Sequence, residues 1–380
     1  MKRQWILLAL ALTLAGCSHS DTFTASVAPL GPISTGDDIQ LTVNSDQDYW
    51  PTWTADGRGI LYAFVNPVAP GVPATRHRCM GILPAAGGTR LWQWCDNRFV
   101  RTDTLSSFTA YALNSDGRLL YAEALAPANP PAAASFPHSI TLWIADTAHP
   151  LQRTALLTLP DALPGITWLA DLEWTGPASF IALGQVFGSF PHCGACFNED
   201  SLFADVPGIV VTGTIVGNHA TLQPVTGTTG ATGYSLAQGG TSIAFIRRGD
   251  PSMYLVPVTG GTAVAIPTGA GQQLAGITCK ASNCVIADDP LVLSTGDFGA
   301  PIFASAGPGT RELRSVPLDG GPSQLLHLFG TTQVDPIVSL PRISPTAGDI
   351  VVQIGGTFGH LQTNSDGGVS DLHLLLAIVP

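Results

Sequence analysis

Asp48-Tyr49-Trp50-Pro51-Thr52-Trp53-Thr54-Ala55-Asp56-Gly57-Arg58-Gly59-Ile60-Leu61-Tyr62 reads as a short strand, a polar turn and a second strand. The turn is Ala55-Asp56-Gly57-Arg58, and an Asp-Gly step between apolar flanks is a strong local signal for a hairpin. Weakened copies of the pattern recur along the chain, at Ser115-Asp116-Gly117-Arg118 and at Ser344-Pro345-Thr346-Ala347-Gly348-Asp349. No single copy can bury its own apolar face. Repetition of such a unit therefore implies a ring or a stack.

Six units can be followed in order, each pairing an Asp-Gly or Gly-Gly turn with alternating apolar flanks. The first runs from about Asp48 to Trp94 and includes a second hairpin around Gly87-Gly88. The second takes Phe108–Leu113, Leu119–Glu123, Ile140–Ala145 and Arg153–Leu159; the third takes Trp168–Trp174, Phe180–Leu183, Ile209–Ile215 and Ala220–Val225. The fourth is compact, from Tyr234 to Ile266. The fifth holds Leu274–Thr278, Val285–Ala287, Glu312–Pro317 and Gln324–Leu328. The sixth offers three strands, Ile337–Ile343, Ile350–Ile354 and Leu372–Val379, and its fourth is expected from Asp38–Val43 near the start of the chain. Two hairpins per unit make four strands, which is one propeller blade. The expectation is an all-β, six-bladed β-propeller of four-stranded antiparallel blades, its ring closed by the N-terminal strand so that no edge is left open. No segment shows sustained i, i+3, i+4 apolar spacing, so helix content should be low.

Composition agrees. The chain has 380 residues, 45% of them hydrophobic, with 42 Gly and 30 Pro, the residues that punctuate short strands and turns. Only 11% are charged and the formal net charge is −11, so the Lys/Arg clusters that hold nucleic acid are missing. No nucleic-acid partner is expected.

Pro51-Thr52-Trp53-Thr54-Ala55-Asp56-Gly57-Arg58 resembles the P-x-W-S-P-D-G-[RK] repeat of TolB-type, WD40-like propellers. Pro341-Arg342-Ile343-Ser344-Pro345 is a partial copy, and Leu255–Gly261 and Ser315–Gly321 resemble the same family's later hairpin. The resemblance covers about residues 37–380, with the full motif intact only in the first unit. It implies a non-enzymatic scaffold that binds envelope proteins or peptides across the central channel, acting as a monomer and needing no cofactor.

The N-terminus reads as an address. Met-Lys-Arg-Gln-Trp, an apolar run Ile6–Leu12 and a small-residue site make a secretory signal. Leu14-Ala15-Gly16-Cys17 resembles the lipobox of bacterial lipoproteins. That resemblance implies cleavage of residues 1–16, acylation of Cys17, and a flexible tether over 17–36 ahead of the propeller at 37–380. The protein would then face the periplasm on a lipid anchor, with the outer membrane favoured because Ser18 is not the retaining Asp.

Six cysteines remain in this oxidising compartment. Cys79 and Cys95 flank the Gly87-Gly88 turn symmetrically, and Cys279 and Cys284 bracket Lys280-Ala281-Ser282-Asn283, so hairpin pairing would set each couple face to face. Cys193 and Cys196 form a C-x-x-C in a loop context. A structural disulfide is expected there, with a metal site using His192 and a redox pair as the alternatives.

Few motifs carry chemistry. There is no G-x-S-x-G and no H-E-x-x-H, and the nine His are scattered. No catalytic or metal residue is assigned. Asn44–Asp48 spaces oxygen ligands as calcium loops do but lacks the glycine and distal Glu of an EF-hand; Asn364–Asp371 is similar and reads more easily as a turn-rich loop. Trp53, Trp143 and Trp174 are expected in the core. Long inserts at Asn66–Arg78, Ala124–Ser139, Val186–Val206 and Asp288–Thr310 are where a rigid scaffold would carry binding loops. The second hypothesis is an enzyme or glycan binder using His, Asp and Glu at the channel mouth.

Overall fold

The computed structural model describes residues 38–42, 48–64, 79–95, 104–127, 139–186, 207–247, 249–269, 274–288, 291–295, 301–305, 311–330, 337–355 and 370–376. The signal segment, Cys17, the tether, the Cys193/Cys196 pair, most of both candidate calcium loops and the insert 66–78 lie outside them.

The described residues are strands joined by turns, with one 3-10 turn at Gln238–Gly240. A first strand, β1 (Asp38–Gln40), precedes the first unit, whose strands are β2 (Asp48–Trp53), β3 (Gly59–Phe64), β4 (Cys79–Pro84) and β5 (Trp92–Cys95). The second unit has β6 (Thr104–Leu113), β7 (Arg118–Pro127), β8 (Ser139–Asp146) and β9 (Thr154–Leu159). The third has β10 (Trp168–Gly176), β11 (Ser179–Gln185), β12 (Gly208–Val216) and β13 (His219–Pro224). The fourth has β14 (Ala231–Ala237), β15 (Ser242–Arg247), β16 (Ser252–Pro257) and β17 (Val264–Pro267).

In the fifth, β18 (Leu274–Lys280) and β19 (Asn283–Asp288) are followed by a separate hairpin, β20 (Leu291–Thr295) with β21 (Pro301–Ser305), before β22 (Arg311–Pro317) and β23 (Gln324–Gly330) complete the sheet. The sixth has β24 (Ile337–Ile343), β25 (Ile350–Gly355) and β26 (Ser370–Leu375). Every described pairing is antiparallel, and most join chain neighbours; β19 pairs with β22 across the inserted hairpin, and β1 lies beside β26, with Asp38 opposite Leu375 and Gln40 opposite His373.

Two expectations need correction. The insert expected at 124–139 is strand at both ends, since β7 runs on to Pro127 and β8 begins at Ser139 in continuous register. The stretch 288–310 likewise contains the hairpin β20–β21 rather than loop throughout. The sheets of the third and fourth units also touch, through the single pair Gly208–Ala231.

Both faces of each sheet are apolar, and the reason is strand alternation. Along β3 every residue is buried, with Ile60, Tyr62 and Phe64 on one side and Leu61 and Ala63 on the other. The first set packs on Val351, Leu372 and Leu374 of the sixth unit; the second packs on Phe108, Tyr111, Leu119 and Tyr121 of the second. The core is therefore a series of clusters, one between each pair of neighbouring sheets. The innermost strands β2, β6, β10, β14, β18 and β24 carry hydrogen bonds across these junctions. Trp53 Nε1 donates to Arg342 O at 2.8 Å, Tyr111 Oη to Trp50 O at 2.8 Å, and Trp174 Nε1 to Ala112 O at 3.2 Å. Tyr234 Oη donates to Asp171 O, Cys279 N to Ser235 Oγ at 2.9 Å, and Ile343 N to Thr278 Oγ1 at 3.1 Å.

Trp53 is buried as expected; Trp143 and Trp174 are half-buried, their rings covered by Arg153 and Arg118. Cys79–Cys95 and Cys279–Cys284 are disulfides across hairpins, with Cα atoms 4.1 and 3.9 Å apart. Gly57, at φ +67°, sits where an added Cβ would lie 2.2 Å from Thr346 Oγ1, so the motif's glycine serves both its turn and the contact with the sixth unit.

The β1–β26 pairing is reinforced just past its end. Leu41 N donates to Leu372 O at 2.7 Å, and Leu372 N donates to the buried Thr42 Oγ1 at 2.9 Å. Replacing Thr42 with Val strands that N–H, and is expected to cost about 1–3 kcal/mol in denaturant unfolding. Deleting residues 37–45 should abolish the single cooperative transition; an unchanged melting curve would refute the importance of this seam.

Candidate functional site

The turns that follow the innermost strands collect at one end of the molecule and form the mouth of a funnel. Thr54 and Ala55 supply it from the first unit, Asn114–Asp116 from the second, Thr175–Pro177 from the third, Lys280 from the fifth, and Ser344 and Pro345 from the sixth. The funnel has a volume of about 590 Å³. Its rim turns are locally braced: Asp56 Oδ1 accepts from Thr54 Oγ1 at 2.6 Å and from Arg58 N at 3.1 Å, and the Thr54 hydroxyl foremost holds its carboxyl below the usual range. Asn114 Oδ1 plays the same part toward Asp116 N and Arg118 N.

One position of the repeat supplies the wall. The junction hydrogen bonds put Thr52, Ala112, Glu173, Ser235, Thr278 and Arg342 in register, each either just before the residue that reaches the neighbouring unit or itself the acceptor of such a bond, and all six line the funnel. Five of the six are polar. Strand alternation cannot place a charge there by itself, because such residues would otherwise face an apolar sheet; the central opening gives them water and one another.

At the funnel's floor Arg342 of the sixth unit forms an ion pair with Asp171 of the third. The same guanidinium donates to Pro341 O at 3.2 Å and to Ile277 O at 3.5 Å. Asp171 and Trp50 are equivalent positions of β10 and β2. Both have positive φ, 54° and 50°, both sit at a break in strand register, and both have their carbonyls bound by a tyrosine of the next unit. The bulge re-aims the Asp171 side chain, as bulges beside functional sites do. Beyond the ion pair lies a second, much smaller space of about 60 Å³, more apolar, walled by Trp50, Pro51, Tyr111, Trp168 and Leu183.

Burial pushes the Asp171 carboxyl above the ordinary carboxylate range, with Arg342 pulling it back. Glu173 is exposed toward the funnel; desolvation by the surrounding wall, with the charge of Asp171 second, lifts it to about 7. Arg342 and the Leu236 N–H act in the opposite direction. Tyr234, buried against the same group, is pushed up by desolvation and then by the two carboxylates.

None of these residues was singled out by sequence. Asp171, Glu173, Tyr234, Lys280 and Arg342 sit inside segments read as strand or turn, and the signal was positional: aligning the units on Trp53, Trp174 and Ile343 puts Glu173 and Arg342 in one column. Of the histidines considered for a channel site, His149, His219, His327 and His373 are described. Among the described residues none lines the funnel, and no group of three or more His, Cys, Asp and Glu could hold a metal ion. Cys79, Cys95, Cys279 and Cys284 are engaged in disulfides. Asp48, the described end of the first calcium-loop candidate, is buried at the start of β2.

No family model matches the sequence and no curated protein matches it. Solved structures do resemble it in shape. A luciferin-regenerating enzyme superposes with a TM-score of 0.50 at 10% identity, covering 93% of this chain and 94% of its own. A calcium-binding regucalcin from Agrobacterium tumefaciens gives 0.47 at 14% identity, over 88% of this chain and 92% of its own. The WD40 repeats of RRP9 give 0.47 at 10% identity, over 90% and 99%. The likeness to the first, with the four-stranded antiparallel sheets, identifies a β-propeller fold and nothing of activity.

The floor has measurable consequences. Arg342→Met leaves Asp171 without its partner and is expected to cost about 3 kcal/mol at neutral pH. Adding Asp171→Asn should restore most of it. The R342M deficit should shrink as pH falls toward 3.8, where Asp171 takes up a proton in both folded and unfolded chains. Glu173 acts with the opposite sign to a salt-bridged acid: its folded value of about 7 exceeds 4.5, so the native state holds the extra proton and stability falls as pH rises between them. Glu173→Gln should flatten that slope in thermal melts at pH 4.5–8.

Proposed function

We propose that this chain is a lipid-anchored envelope protein whose TolB-like propeller is a closed ring of six blades, acting as a monomeric, non-enzymatic scaffold that binds a protein or peptide at the funnel. The observation that carries the binding face is the funnel itself: five units place rim residues around one opening, and one repeat position lines its wall. Support for the closed ring comes from the β1–β26 pairing and from hydrogen bonds that cross each junction between the innermost strands. The anchor rests on Leu14-Ala15-Gly16-Cys17.

A second reading, a small-molecule or glycan site with chemistry of its own, is favoured by one observation. Glu173, lifted to about 7 beside Asp171, is poised to exchange a proton near neutral pH.

A photo-crosslinker placed at Asp116 on the rim should capture a partner from native membranes in defined stoichiometry, and one at the exposed Leu325 on an outer strand should not. Equal capture from both positions would defeat the scaffold reading at this face. Cys17→Ser should abolish incorporation of labelled palmitate and release the protein from membranes; retained label would overturn the anchor.

A further inference from the structure

We propose that the end of the propeller bearing the funnel mouth lies against a lipid surface, seated there by one exposed aliphatic side chain from each of five units. This goes beyond the scaffold reading and rests on the Cys17 anchor proposed with it.

Sheet register decides which side chains share that end. In each of these units the turn between the third and fourth strands lies beside the turn between the first and second. Ala85 N donates to Arg58 O at 2.9 Å, Thr147 N to Gly117 O at 3.0 Å, and Ile215 N to Ala178 O at 2.8 Å. Val258 N donates to Thr241 O at 3.0 Å, and Leu318 N to Ser282 O at 2.9 Å. The large aliphatic side chains left exposed among the described residues are Leu91, Leu151, Val186, Val216, Val264 and Leu325. Leu91 and Leu151 stand in these turns ahead of β5 and β9, Val216 ends β12, and Val264 and Leu325 are the first and second residues of β17 and β23. Val186, just past β11, is at the opposite end.

An exposed aliphatic side chain standing alone carries no meaning. These five come one to a unit, on or beside the outermost strands, so they ring the perimeter of one end. The deepest of them, Leu325, pairs with Arg314, three residues before the end of β22, so the ring is within about 10 Å of level. A compact protein partner needs a contiguous patch; a broad, fluid surface touches separated side chains all at once, to the depth at which apolar groups enter the headgroup boundary.

The start of the folded chain marks the same end. Asp38 enters β1 opposite Leu375, which in turn lies opposite Ile350 just after the β24–β25 turn. The sixth unit, which adds no side chain to the ring, is thus where the tether arrives. Cys17 is 21 residues from Asp38. A flexible chain of that length spans about 25 Å, so the anchor holds this end near the bilayer without the tether wrapping around the body. Charge does not supply the contact. Acid and base alternate in the turns, Asp56 with Arg58 and Asp116 with Arg118, and a chain of net charge −11 is not drawn to anionic lipid. The funnel mouth lies inside the ring and so opens toward the membrane, from which any segment entering it is presented.

The test places a photoreactive diazirine amino acid at Leu151, Val264 or Val186 of the full, lipidated chain on phosphatidylcholine vesicles, with adducts identified by mass spectrometry. Phospholipid adducts should form at Leu151 and Val264 roughly fivefold or more over Val186. Adding about 0.5 M salt should leave them unchanged. Leu91→Glu with Val216→Glu, both at exposed positions, should abolish the adducts while the acyl chains keep the protein on the vesicles. Equal adducts at Val186, or none at any position on vesicle-bound protein, would overturn the proposal and leave the anchor standing. Protein adducts from Leu151 and Val264 in native membranes, in place of lipid, would also overturn it and assign the ring to a protein partner. A chain that takes up no palmitate at Cys17 removes the anchor; lipid adducts confined to Leu151 and Val264 would then still support this face, and their absence would end it.

Discussion

A four-stranded sheet that is apolar on both faces cannot stand alone in water, and this constraint governs the molecule. β3 states it most directly, with all six of its residues buried and alternate side chains committed to different neighbours. Each sheet is stable only as a partner of the sheets beside it. The first sheet meets the last through Trp53, Ile60 and Tyr62 against Val351 and Leu374, a contact between residues about three hundred positions apart. A contact of such long range is entropically expensive to reach. β1 on β26, with Thr42 holding the Leu372 N–H, adds backbone pairing beside it.

The same geometry explains why polarity gathers at the centre. Innermost strands splay around an opening instead of packing on another sheet, so the residue preceding each junction contact faces water and its counterparts. Ala112 shows that the position tolerates an apolar residue; Glu173 and Arg342 show that it tolerates opposite charges. The ion pair of Arg342 with Asp171 divides the opening into a polar funnel and a more apolar chamber. Arginine clamps recur further out in the sheets: Arg90 lies over Phe64 at 3.8 Å, Arg153 over Trp143 at 3.8 Å while pairing with buried Glu123, and Arg247 over Tyr254 at 4.1 Å. These brace the outer strands and leave the centre to the wall residues.

Much of this was legible in sequence. Alternating runs with Asp-Gly turns located every four-stranded unit, because period-2 alternation and a positive-φ glycine are local requirements. Hairpin symmetry paired Cys79 with Cys95 and Cys279 with Cys284 for the same reason. Strand extent was less legible: β7 runs through Ala126 and Pro127, inside the stretch read as an insert, because pairing with β6 supplies partners that composition does not reveal. The site was not legible at all. Asp171 depends on a bulge that flips its φ, and Arg342 meets it across 171 positions of sequence. No local pattern encodes such an encounter. The histidines, attractive by chemistry, had no positional argument, and their described members lie away from the funnel.

The wall column also bears on how such a protein changes over time. Thr52, Ala112, Glu173, Ser235, Thr278 and Arg342 line the opening, and three of them also hold a neighbour through their side chains: Ser235 Oγ and Thr278 Oγ1 accept from Cys279 N and Ile343 N, and Arg342 pairs with Asp171. Substitution at Thr52, Ala112 or Glu173 can therefore reshape the surface of the opening without breaking a side-chain bond between sheets, whereas Ser235, Thr278 and Arg342 are held by two duties at once.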